Sequence, residues 1–147
     1  MLPRPAMPAL FNRLSMSSRL APPQEQIAMD LASLLNAGIR SARLTVTDDD
    51  DARSSVLNYG NPPISTKVGS RINPAHLATQ LHHTIVMFEP RLCPRSLMVT
   101  ARPDTDVASR QTIYFDLQAK LQDSGDPFRV RVGLDYLASA FLVTLLR

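Results

Sequence analysis

Two runs of alternating apolar and polar residues, 113–118 and 128–134, constrain the fold of this chain more than any other feature. Between them stands the cluster Asp123-Ser124-Gly125-Asp126-Pro127, whose residue types favour a turn. Alternation with a period of two is typical of strands that bury one face. Together the two runs predict an antiparallel hairpin. Their inward positions are Ile113, Phe115 and Leu117 in the first run, and Phe128, Val130, Val132 and Leu134 in the second.

Two segments before the hairpin have the periodicity of amphipathic helices. Residues 23–37 place apolar side chains three and four positions apart and end before Gly38, which suits a helix C-terminus. The second helix begins with Asn73 as N-cap and Pro74 in the first helical position. It ends near Phe88, because a proline disfavours helical geometry at the residue before it and Pro90 follows Glu89.

The order of these elements predicts an α+β fold. A short strand is predicted at residues 98–102, while residues 136–147 are compatible with either a closing strand or a short helix. Helices followed by a strand meander predict two main helices packed on one face of a small, mainly antiparallel sheet. Residues 1–24 hold five of the twelve prolines. We therefore expect an extended or mobile N-terminal arm at 1–22 and a single domain at 23–147.

Composition excludes several classes of protein. The longest mostly apolar stretch, 136–146, is shorter than the roughly 20 residues of a membrane-spanning helix, so no membrane insertion is expected. The single cysteine, Cys93, cannot form an internal disulfide, which favours a reducing, cytoplasmic location. The sequence pI is about 9.5, but the cations are dispersed and tryptophan is absent. Binding to nucleic acid is therefore not expected.

No metal or cofactor site is predicted. His76, His82, His83 and Cys93 complete no metal-ligand motif, and adjacent histidines on a helix point to different faces. The run Asp48-Asp49-Asp50-Asp51 lacks the spacing of a calcium loop and favours a solvated loop.

Glu89 stands at the carboxyl end of the second helix, where the helix dipole disfavours an anion. Arg91 is the nearest cation along the chain. The two residues form either an exposed pair of little energetic consequence or a site that binds a partner. If the site binds a partner, replacing Arg91 with alanine should shift the melting temperature by only a few degrees.

Several segments of the chain resemble the TssE family, the baseplate subunits of type VI secretion systems, which belong to the lysozyme-like baseplate wedge family of tailed phages. The most specific are residues 85–92, which contain Phe88-Glu89-Pro90-Arg91-Leu92, and residues 55–60, which end in Asn58-Tyr59-Gly60. Residues 10–14, with Phe11 and Arg13, are similar to the family's leading docking segment. Residues 30–36 are similar to its first helix.

The resemblance implies a structural role in a contractile injection machine. It implies that Glu89, Pro90 and Arg91 form the wedge-binding motif. Asn58, Tyr59, Gly60, Phe11 and Arg13 are implied as structural or interface residues. The implied partners are the wedge proteins TssF and TssG, with TssK as a further candidate, and the sheath proteins TssB and TssC. The subunit would prime sheath polymerisation at the cytoplasmic side of the inner membrane. No cofactor is implied.

The chain departs from the family pattern near its end, where residues 135–139 contain no glycine. The final strand, which would face the sheath, is therefore uncertain from the sequence. The name lysozyme-like also raises glycoside hydrolysis through Glu89 as an alternative function. That chemistry needs two carboxyl groups, one of them protonated. Arg91 favours the ionised form of Glu89, and the sequence places no second carboxylate on a rigid element beside it.

Overall fold

The computed structural model describes residues 21–37, 60, 73–102, 112–135 and 137–147. Two α-helices, α1 (Pro23–Asn36) and α2 (Pro74–Phe88), precede a short 3-10 helix at Pro94–Ser96. Four strands follow: β1 (Met98–Ala101), β2 (Thr112–Lys120), β3 (Pro127–Asp135) and β4 (Ala140–Leu145). The predictions for Phe11, Arg13, Asp48–Asp51, Asn58 and Tyr59 concern residues outside these ranges, as does almost all of the predicted arm.

Both helices begin where the sequence predicts. In α2, the side chain of Asn73 accepts hydrogen bonds from the backbone N–H groups of Ala75 and His76. Proline occupies the start of α1 and of α2, where its missing N–H costs nothing. The last helical bond of α2 runs from the N–H of Glu89 to the carbonyl of Ile85, 2.8 Å away, and the helix ends there because Pro90 follows.

The four strands form an antiparallel meander in the order β1-β2-β3-β4. The predicted hairpin is confirmed: Phe115 lies opposite Val132, and Leu117 lies opposite Val130. The inward side chains of β2 and β3 are buried with those of α1 and α2 in one apolar core. Each large side chain in it, such as Phe115 or Leu81, stabilises the fold by about 1.5–3 kcal/mol. The α+β architecture is therefore as predicted.

The final strand is present although its turn contains no glycine. Asp135 Oδ1 accepts hydrogen bonds from the N–H groups of Leu137 and Ala138, each at 3.0 Å. Ser139 adopts a φ of 52°, the left-handed conformation in which glycine is usually found. These two features reverse the chain into β4, which pairs with β3 along its whole length. The side-chain bonds and the left-handed serine replace the glycine that the family pattern led us to expect.

The other face of the sheet is not covered by either helix. Tyr114, Gly133 and Leu142 lie side by side on it in one row across β2, β3 and β4. A Cβ atom on Gly133 would lie 3.1 Å from Cε1 of Tyr114, so the tyrosine ring covers the glycine. In the next row Asp116 accepts a hydrogen bond from Nε of Arg131 at 3.0 Å. No helix within the described ranges is long and apolar enough to cross a membrane.

Candidate interaction site

The corner that follows α2 brings Glu89 and Arg91 into direct contact. Nε of Arg91 donates to Oε1 of Glu89 at 2.7 Å, and Nη2 donates to Oε2 at 2.6 Å. The backbone N–H of Arg91 also donates to Oε1, at 3.2 Å. This bidentate arrangement is the strongest geometry that an arginine and a carboxylate can adopt. Glu89 is only 3% exposed, so the pair is not the loose surface contact that the sequence left open.

A second carboxylate, from α1, shares the same guanidinium. Nη2 of Arg91 lies 2.6 Å from Oδ2 of Asp30, which is also buried. The absence of a neighbouring carboxylate, expected from the sequence, is therefore wrong. Burial disfavours the charge of Arg91, but hydrogen bonds and negative charge from Glu89, and then from Asp30, outweigh it and raise the pKa of Arg91 above its ordinary value. The side chain of Arg91 is therefore charged at neutral pH.

Sequence reasoning missed Asp30, although its pattern contained a signal. Asp30 lies three residues after Ile27 and four before Leu34, both of which are buried on the inner face of α1. A carboxylate within an apolar stripe must find a partner, because an isolated buried charge is costly. The stripe alone did not indicate where that partner would come from.

Backbone hydrogen bonds hold the corner against the β2–β3 hairpin. The N–H of Cys93 donates to the carbonyl of Lys120 at 2.8 Å, and the N–H of Gln122 donates to the carbonyl of Arg91 at 2.7 Å. Leu92, between them, is buried and forms a bridge with Leu121. Arg91 is therefore fixed at its backbone by the hairpin and at its side chain by both helices.

Part of this corner remains at the surface. Pro90 is exposed, and the side chain of Arg91 keeps 27% of its area accessible. Within the part of the chain that the structure describes, Nε and Nη2 carry the hydrogen bonds of this guanidinium and Nη1 has no acceptor. The corner can therefore present the rigid ring of Pro90 and the two N–H groups of Nη1 to a partner, while Glu89 is accessible only through Arg91.

Gly60, from the predicted Asn-Tyr-Gly element, is buried at the carboxyl end of α1. Its φ is 129°, and a Cβ atom there would clash with the carbonyl oxygen of Ala37. Only glycine fits such a position. Gly60 therefore packs closely against the carboxyl end of α1, whereas Asp30 lies in the middle of that helix.

The residues considered as metal ligands do not converge within the described ranges. His76 and His83 are exposed on α2, and His82 is half-buried. Among the described residues, no three His, Cys, Asp or Glu side chains are placed to share an ion. The thiol of Cys93 is half-buried, and a hydrogen bond from the backbone of Arg95 lowers its pKa.

The sequence model of one family, described as baseplate wedge protein gp25, matches residues 22–126. No curated protein is significantly similar in sequence. Among solved structures, the chain is similar to a candidate tail lysozyme from Geobacter sulfurreducens at 19% identity, with a TM-score of 0.53. That likeness covers 87% of this chain and 95% of the other, and at such identity it concerns the fold alone.

Proposed function

The chain belongs to the family of the baseplate wedge protein gp25, and from this premise we propose that it is the TssE-type subunit of a type VI secretion baseplate. The family is structural, and its members build phage-tail-like baseplates. The finer assignment rests on the residues quoted for TssE, above all Glu89, Pro90 and Arg91. We propose that the subunit acts in the cytoplasm, at the inner face of the membrane.

The surface that binds the wedge is Pro90 together with the outer edge of the Arg91 guanidinium. The single observation that carries this proposal is the immobilisation of Arg91 by Glu89 and Asp30. A guanidinium that is already ordered loses little rotamer entropy when a partner binds its remaining N–H groups. The proposed partners at this corner are TssF and TssG, with TssK as a further candidate. A carbonyl or carboxylate of the partner would accept from Nη1.

In this proposal the role of Glu89 is indirect. Because both of its oxygens are bound to Arg91 and its side chain is buried, it orients the arginine and does not itself touch the partner. Of the three residues of the motif, this leaves the proline and the arginine as those that contact the wedge. It also explains why the three residues must be adjacent, since the bidentate pair closes across Pro90.

The second proposed contact is strand addition at β4, which has no neighbouring strand on its outer side in the described sheet. An open edge offers backbone hydrogen bonds to an extended segment of another chain. We propose that this segment belongs to one of the sheath proteins, TssB or TssC. The subunit would thereby give the first sheath ring a strand to pair with.

Glycoside hydrolysis is the less favoured function. Asp30 and Glu89 do lie close together, but both pair with the same guanidinium of this chain, and both oxygens of Glu89 are already bound to it. A glycosidase needs two carboxyl groups that are free to flank the glycosidic bond. A cavity between α2 and β1, within the described residues, contains no carboxylate in its lining, which is Ala75, Ala78, Thr79, His82, Val99, Thr100 and Ala101.

Co-expression with tagged TssF and TssG tests the wedge contact. We expect Pro90→Glu to abolish co-purification, because it puts a charged side chain at the contact without removing any hydrogen bond of the corner. Pro94→Glu is the matched control, since Pro94 is also an exposed proline four residues further along. Equal recovery of the Pro90 variant and the wild type would overturn the proposed surface.

Peptidoglycan hydrolysis by the purified chain tests the alternative. We expect no release of fragments by the wild-type protein. Release that disappears in Glu89→Gln, with the variant still folded by circular dichroism, would establish a hydrolase and contradict a purely structural role.

A further inference from the structure

The side chain of Asn36, at the end of α1, pairs with the backbone of Phe141 at the start of β4. Nδ2 of Asn36 donates to the carbonyl of Phe141 at 2.8 Å, and the N–H of Phe141 donates to Oδ1 at 2.8 Å. Nδ2 also donates to the carbonyl of Ala32 at 2.8 Å, which fixes the amide on its own helix. A primary amide that exchanges both bonds with one residue reproduces the contact of a neighbouring strand.

The register of β4 on β3 shows which of its backbone groups face outward. The N–H of Leu146 donates to the carbonyl of Arg129 at 2.9 Å, so even-numbered residues of β4 direct their backbone groups toward β3. In an antiparallel pair the alternate residues direct theirs away. The outward set is therefore Phe141, Val143 and Leu145.

Asn36 forms hydrogen bonds with the outward backbone groups of Phe141. Among the described residues, no hydrogen bond is made to the outward N–H or carbonyl of Val143 or Leu145. These two residues offer two groups each, which makes four hydrogen bonds for an added strand.

The open face beside this edge carries an apolar side chain that an added strand would cover. Leu142 is 70% exposed and lies next to Gly133, which the ring of Tyr114 covers from the other side. The residue opposite Leu142 on an added strand would be at a close, non-hydrogen-bonded position, where side chains pack best. The incoming segment therefore needs an apolar side chain at that point.

We propose that Asn36 is a register stop for strand addition at β4: it closes the edge at Phe141 and confines an incoming sheath strand to Val143 and Leu145. The inference rests on the proposed function, because it assumes that the edge receives a strand from the sheath. The stop would also protect the free subunit, since a longer open edge pairs more readily with a second copy of this chain.

Sedimentation velocity of the purified full chain tests the stop without any partner. We expect the wild type to be monomeric and Asn36→Ala to form dimers at the same concentration. Adding Val143→Pro to Asn36→Ala should restore the monomer, because proline removes the outward N–H of Val143 but no bond to β3. Val143→Ala in the same background is the matched control, and it should leave the dimer intact.

Amide hydrogen exchange reports whether the stop itself has been removed. We expect the N–H of Phe141 to exchange about tenfold faster or more in Asn36→Ala than in the wild type. A folded Asn36→Ala variant that shows this faster exchange and yet stays monomeric would overturn the inference. Should that variant not fold, Asn36→Ser takes its place, because the shorter side chain reaches neither the N–H nor the carbonyl of Phe141 and both readouts still apply.

Exchange in the complex with co-expressed TssB and TssC separates this inference from the proposed function. Protection that appears at Val143 and Leu145, with Phe141 unchanged, supports both. If the N–H of Phe141 also becomes more protected than it is in the free chain, the incoming strand passes Asn36. That result contradicts the register stop but not the proposed function. Failure of the wild-type chain to capture sheath proteins contradicts the proposed function, while the dimerisation test continues to decide the effect of Asn36 on the edge.

Discussion

The guanidinium of Arg91 lies 2.6 Å from the carboxylate of Asp30, a residue 61 positions earlier in the chain. This contact joins α1 to the corner after α2, and it gives the local motif Glu89-Pro90-Arg91 a tertiary partner on another helix. Through it, the proposed wedge surface is tied to the core of the domain. Changes at the corner are therefore expected to affect folding as well as binding.

Replacing Arg91 with alanine should lower the free energy of unfolding by about 2–4 kcal/mol, because it leaves the buried carboxylates of Glu89 and Asp30 without their shared cation. The loss of stability is therefore larger than the sequence predicted, which was a shift of only a few degrees in the melting temperature. Asp30→Asn should cost less, about 1–2 kcal/mol, since Glu89 still pairs with the arginine. Urea unfolding measures both. Arg129→Ala, at an exposed arginine of β3, serves as control and should stay within about 0.5 kcal/mol of the wild type.

Gly60→Ala should destabilise the domain by more than about 2 kcal/mol, because the new Cβ would meet the carbonyl of Ala37 and because φ is positive. Gly125→Ala isolates the backbone contribution. Gly125 also has a positive φ, of 74°, but nothing lies within 4 Å of its Cβ position. Thermal unfolding of the two variants side by side should show the larger loss at Gly60; equal losses would mean that the close approach to α1 is unimportant.

Ser139→Gly should stabilise the protein by up to about 1 kcal/mol, since it relieves the left-handed strain of a non-glycine residue in the turn before β4. Chemical denaturation measures the gain. The hydrogen bonds of Asp135 to the turn are unaffected by the change, so Asp135→Ala should act in the opposite direction. A loss of stability in the glycine variant would show that the serine side chain, and not the backbone, holds the turn.

Alkylation of Cys93 by iodoacetamide should reach half its maximal rate at a lower pH in the folded protein than in guanidinium chloride. A hydrogen bond from the backbone of Arg95 lowers the pKa of the thiol, so more thiolate is present near neutral pH when the protein is folded. The chain contains one cysteine, so mass spectrometry of the intact protein follows the reaction directly. Coincident pH profiles in the two conditions would contradict the hydrogen bond.

The sequence predicted the elements of the fold because their signals are local. The Asn73 cap, the proline that ends α2 and the alternation of β2 and β3 each act within a few residues, and the structure follows them closely. The family pattern likewise identified Glu89, Pro90 and Arg91 as one unit. It did so without showing that the glutamate is buried.

Whether residues 136–147 close the sheet could not be read from the sequence, because their apolar spacing fits a helix and a strand equally well. The register of β4 on β3 settled the question. The two contacts on which the proposals rest, Arg91 with Asp30 and Asn36 with Phe141, depend on where the two helices lie on the sheet. Local patterns fix which face of a helix is apolar, but only the packed core decides which distant groups that face brings together.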